Sequence, residues 1–93
     1  MTDPRPARAD AIGSAIVDLL LDRWNPLAAA DHLEAATVYQ PVVGPLYRLI
    51  ASGASALRVA VELAEAERRL GRSTPPADLV PVSRALLALD VRL

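Results

Sequence analysis

The sequence predicts an all-α protein, a small bundle of about four helices, and three observations predict it. Apolar residues recur with the 3.6-residue period of a helix in separate stretches of the chain. Alanine, the strongest helix former, occurs eighteen times, while β-branched residues are a scattered minority. Proline, glycine and capping residues fall between the periodic stretches, where helices start and stop. At 93 residues the chain has the length of one domain, near the lower end of what folds alone.

Each element follows in order. Residues 1–9 hold two prolines and alternating charges and read as a flexible arm, leaving 10–93 as a single helical domain. Asp10 is a fitting N-cap for a first helix over 11–24, whose stripe is Ile12, Ile16, Leu19 and Leu20. Trp24 continues that stripe, which predicts a buried indole packed on the third or fourth helix. Asn25-Pro26 ends the helix, because proline disfavours helical geometry in the residue before it. Asp31 and Glu34 have capping-box spacing and open a second helix near His32. Pro41 and Pro45 interrupt it, so 32–52 forms either one kinked helix or two, with Gly44-Pro45 as the restart.

Ser55 caps a third helix over 56–70, closed by Gly71. Arg58, Glu62, Glu65 and Arg69 form a solvated comb along it, with Glu65 and Arg69 in the favoured i, i+4 order. Pro75-Pro76 reads as a rigid linker. A fourth helix follows over 79–91, capped by Asp78 and carrying Val82, Leu86, Leu89 and Leu93 on one side.

Composition narrows the function. There is no Cys, which excludes disulfides, thiolate metal sites and cysteine nucleophiles. All ten basic residues are Arg, and the net charge of −1 removes the positive field that nucleic acid requires. The N-terminus lacks a signal-peptide core, and the longest uncharged stretch, 35–47, is too short and broken to span a bilayer. No membrane association and a cytoplasmic location are the resulting expectations.

The chemical inventory is thin. His32 is the only histidine, so a His-pair metal site is impossible and a Ser-His-Asp arrangement depends on it alone. Its place in a first helical turn predicts a solvent-facing side chain. Asp18 and Asp22 are stacked at i, i+4, and with Asp31 or Glu34 they have the makings of an oxygen-ligand cation site. A wet helix face and a helix cap explain them better, and no metal, cofactor or catalytic residue is expected. The four glycines are dispersed and form no phosphate loop. The residues suited to partner binding are Trp24, Tyr39, Tyr47 and Arg48, the three aromatics of the chain and one neighbouring cation.

The favoured reading is a non-enzymatic protein-interaction or accessory module. A DNA-binding regulator is the alternative, with only Arg84 and Arg92 available on its recognition helix; an acidic-site metal enzyme ranks below it. A homodimer is expected of the chain alone. The third helix is apolar around more than half its circumference, and Val80 and Leu87 add to the surplus.

Trp24-Asn25-Pro26-Leu27 after an amphipathic helix resembles the Trp-(Asp/Asn)-Pro-(Leu/Ile) turn of small uncharacterised bacterial helical domains. Tyr39, Leu46-Tyr47-Arg48-Leu49-Ile50, Ser52-Gly53-Ala54-Ser55 and Val61-Glu62-Leu63 follow in the same order, so the resemblance covers residues 12–71. It implies an all-helical fold of unknown function, some similar proteins being immunity-like or accessory proteins encoded beside toxins. The acidic residues that precede the first tyrosine in that pattern are Thr37 and Val38 here, and a second aromatic is Val42.

Overall fold

The computed structural model describes residues 4–89, with side chains from residue 11 onward. Among the described residues there are five α-helices, one 3₁₀ turn and no strand: α1 (Pro4–Arg23), α2 (His32–Val38), α3 (Gln40–Ala51), α4 (Ala56–Arg69), the 3₁₀ turn (Pro76–Leu79) and α5 (Val80–Leu87). The all-helical class is therefore as expected, with one helix more than the count of four.

The first helix starts earlier than its cap predicted. It runs from Pro4 straight through Asp10, so Asp10 is interior and the supposed arm is helical from residue 4 on; residues 1–3 lie outside the described residues. Pro4 and Pro6 fall in the first turn, where backbone N–H groups have no intrahelical acceptor to lose. Further along, Ile12, Ile16 and Leu20 are buried with Val17 beside them.

Residues 32–52 are two helices, and the break is at Tyr39 rather than at Gly44-Pro45. Tyr39 leaves helical geometry (φ −101°, ψ 5°), its carbonyl accepts from Val42 and Val43, and Pro41 sits in the first turn of α3. Pro45 is carried inside α3, where it removes one hydrogen bond close to the helix start. The Asp31 cap forms as read: its carboxylate accepts from Glu34 N at 2.9 Å. Glu34 reaches back one residue further than expected, to Ala30 N at 2.8 Å.

Two helices end on glycine in the left-handed region, Gly53 at φ 76° and Gly71 at φ 84°. In each, the next residue's N–H reaches the carbonyl five back: Ala54 to Leu49 and Arg72 to Glu67. This is the Schellman closure that glycine permits without steric cost. Ser55 caps α4 through its hydroxyl, which accepts from Arg58 N at 3.1 Å. The last expected helix divides. Asp78 is not its cap but lies inside the 3₁₀ turn that Pro76 begins, and α5 ends at Leu87; 90–93 lie outside the described residues.

Helix α1 packs on α2, α3 and α5, while α4 packs on α3, the 3₁₀ turn and α5. Leu46 and Ile50 of α3, Val59 and Leu63 of α4, and Val82 and Leu86 of α5 fill the space between. Most of the apolar circumference of α4 is taken up within the chain: Val59, Ala60, Leu63, Ala64 and Ala66 are buried, while Leu57 in its first turn stays exposed. Glu67 continues that buried face, with one carboxylate oxygen lacking a partner among the described residues. No helix among the described residues is long and apolar enough to cross a membrane.

Candidate functional site

The four residues singled out for partner binding separate into two places. Trp24 and Tyr39 come together at the corner after α1; Tyr47 and Arg48 sit on α3.

The corner is built by side chains. The Leu20 carbonyl accepts from both Trp24 N and Asn25 N, and Asn25 then turns into the left-handed region at φ 37°. Asn tolerates that geometry better than most residues. Its side chain pairs with both polar groups of one peptide: Oδ1 accepts from Ala29 N at 2.8 Å, and Nδ2 donates to Ala29 O at 3.0 Å. Oδ1 also accepts from the Tyr39 hydroxyl at 2.7 Å, and that hydroxyl accepts from Leu27 N at 2.9 Å. Between them Ala28 is held at φ 53°, a conformation costing an alanine about 1–2 kcal/mol.

Tyr39 is fully buried. Its hydroxyl is internal rather than at the water edge, so its ring offers no surface to a partner. Burial pushes its pKa above the usual tyrosine value; the Leu27 N–H lowers it, Glu34 raises it and Arg72 lowers it, in decreasing order of effect. Trp24 is half-buried and packs in a tilted arrangement against Tyr39, at a centroid distance of 5.2 Å and 52° between rings. Trp24 also packs against the core cluster. Its Nε1 is buried with no acceptor among the described residues. Arg72, aimed by the Gly71 turn, donates to Pro26 O at 3.1 Å and ties the corner to the end of α4.

Tyr47 is half-buried against the core, whereas Arg48 is exposed. Arg48 folds back along α3 over Gly44: a Cβ there would lie 3.6 Å from its guanidinium nitrogen. It lines a cleft of about 280 Å³ between α3 and α4, with Pro45, Leu49, Arg58 and Glu62. Glu62 holds Arg58 at 3.9 Å; Arg48 has no ion pair among the described residues.

His32 is half-exposed, and its surroundings differ from a free surface histidine. Its Nδ1 lies 2.5 Å from Asp18 Oδ1, and its Nε2 lies 3.4 Å from Ser14 Oγ. Asp18 is thereby engaged across helices, Asp22 lies 3.8 Å from Arg23, and Asp31 and Glu34 accept from the backbone. Among the described residues no three His, Asp or Glu converge as a ligand set for a metal.

Asn25, Arg58 and Ser14 were not among the site residues that the sequence pointed to. The first had a signal, an Asn at a helix end before proline, but its partner lies 14 residues on. Arg58 and Ser14 acquire their neighbours only when helices pack. No family model, curated protein or solved structure matches the chain.

Proposed function

We propose that the chain is a protein-interaction or accessory module, of the immunity-like kind its resemblance suggests, and that a partner protein docks on the cleft between α3 and α4. The observation that supports this reading is Arg48: exposed, without an ion pair among the described residues, and laid over Gly44 beside the apolar Pro45 and Leu49. Arginine is enriched at the anchoring positions of protein interfaces, and here it stands in a cleft whose walls are mixed, Pro45 and Leu49 beside Arg58 and Glu62. The guanidinium lies along Gly44 at ordinary contact distance, 3.6 Å from where a Cβ would sit, so the arginine is held against its own helix at the mouth of the cleft.

A second copy is the partner the purified chain would use. Leu33 and Leu57, 77% and 59% exposed, remain for such a contact, although α4 itself has little apolar face to spare. Two measurements test the reading. Co-purification from the native cell with the wild-type chain and with Arg48→Glu should yield a protein retained by the first and lost by the second; equal retention overturns the cleft. Light scattering separates the self-association form, since a mass fixed at 9.9 kDa up to high concentration excludes the homodimer.

A further inference from the structure

We propose that Ser14 is a self-acylation site, its hydroxyl activated through His32 and Asp18 to take an acyl group from an activated ester or thioester. This lies beyond the interaction role and does not involve the α3–α4 cleft.

Ser14 and Asp18 are one turn apart on α1 and therefore neighbours on the same side of it. His32, the first residue of α2, is brought over both by the packing of α2 on α1. A carboxylate only accepts hydrogen bonds, so Asp18 Oδ1 at 2.5 Å places the neutral imidazole's proton on Nδ1. That leaves the lone pair on Nε2, which faces Ser14 Oγ at 3.4 Å. Nucleophile, base and the group that orients the base are thus in line, the arrangement that activates a serine hydroxyl. All three side chains are reached by solvent, Asp18 being 65% and His32 43% exposed.

The step is balanced without a co-reactant. Ser14 Oγ bonds to the acyl carbon as its proton passes to His32 Nε2. The bond from that carbon to the leaving oxygen or sulfur breaks, and the leaving group takes the proton from Nε2. The products are a Ser14 ester and a free alcohol or thiol.

The surroundings set the class of acyl donor. Ser14 lies well inside α1, where backbone N–H groups bond to the carbonyl four residues back. None is free to stabilise an oxyanion, so the donor must carry a good leaving group, as aryl esters and thioesters do. The same lack of donors makes Ser14 an acceptor of one acyl group rather than a turnover site.

The test uses the full chain, p-nitrophenyl acetate as donor, and peptide mass spectrometry to locate the acetyl group. Ser14 should be acetylated ahead of the exposed Ser52, Ser55 and Ser73. His32→Asn keeps a donor for Asp18 but removes the base, and should slow Ser14 acetylation by about 100-fold, within the range of general-base effects. Asp18→Asn keeps an acceptor for Nδ1 but removes the charge, and should slow it by about tenfold or more. Ser14→Ala, which leaves the His32–Asp18 pair in place, should lose the adduct while the helical circular dichroism is unchanged. Acetylation of Ser14 no faster than at the other exposed serines would overturn the proposal. So would unaltered rates in folded His32→Asn and Asp18→Asn, which would reduce the three residues to a tether between α1 and α2.

Discussion

The corners that follow α1 and α4 both reverse the chain after a helix, by different means. After α4 the turn is local: Gly71 takes the left-handed conformation freely, and the backbone closes on itself through Gly71 to Arg68 and Arg72 to Glu67. After α1 two residues other than glycine, Asn25 and Ala28, are left-handed, and side chains hold them there. The first corner needs only its own sequence. The second is complete only when Tyr39 arrives from the α2–α3 junction, so it forms with the tertiary structure. The two corners touch, Arg72 donating to Pro26 O, so the independent one steadies the dependent one.

Substitutions can sharpen this contrast, starting from the largest effect. On the α4 side stability rests on apolar burial, and Leu63→Ala should cost about 2–5 kcal/mol in denaturant unfolding, because Leu63 is fully buried. At the α1 corner the equivalent loss is polar. Tyr39→Phe keeps the ring but leaves Leu27 N without its acceptor, which should cost about 1–3 kcal/mol.

The same variant carries a pH signature. Tyr39 has its folded pKa raised, chiefly by burial, so the unfolded chain loses the proton first as pH rises. Its contribution is fully present below the unfolded value of about 10 and is lost as pH climbs through the folded value. The chain has no Lys or Cys to titrate nearby. Unfolding midpoints measured above pH 10 should therefore fall more steeply for the wild type than for Tyr39→Phe.

The smallest effects form a mirrored pair. Ala28→Gly should stabilise by about 1 kcal/mol by relieving left-handed strain, and Gly71→Ala should destabilise by about the same amount by creating it. Thermal unfolding of both reads the contrast directly; equal signs would erase it.

What was legible in the sequence follows this same division. The Ile12–Ile16–Leu20 stripe, the Ser55 and Asp31 caps and the Gly71 closure rest on neighbours within five residues, and they form as read. The start of α1 was misplaced because Asp10 is a good cap in isolation, while prolines in a first turn are no obstacle. Pro45 was taken for a restart because the nearness of α3's beginning, which limits the damage to one hydrogen bond, was not visible. Trp24, Tyr39, Tyr47 and Arg48 were chosen by residue type, and type does not say which way a side chain faces. Tyr39 is internal because the path of the chain between α1 and α2 brings Asn25 and Leu27 N to its hydroxyl. His32 was read as solvent-facing and its side chain is 43% exposed; what residue type did not show is that α2 lays it beside Ser14 and Asp18.

Asn25 and Tyr39 act as one unit across 14 residues of sequence. A double-mutant cycle tests it most directly, with Asn25→Ala, Tyr39→Phe and the pair compared by denaturant unfolding. Strong non-additivity is expected, a coupling of about 1 kcal/mol or more, because either change alone breaks the same hydrogen bond. Additivity within about 0.3 kcal/mol would show two independent contacts and contradict it.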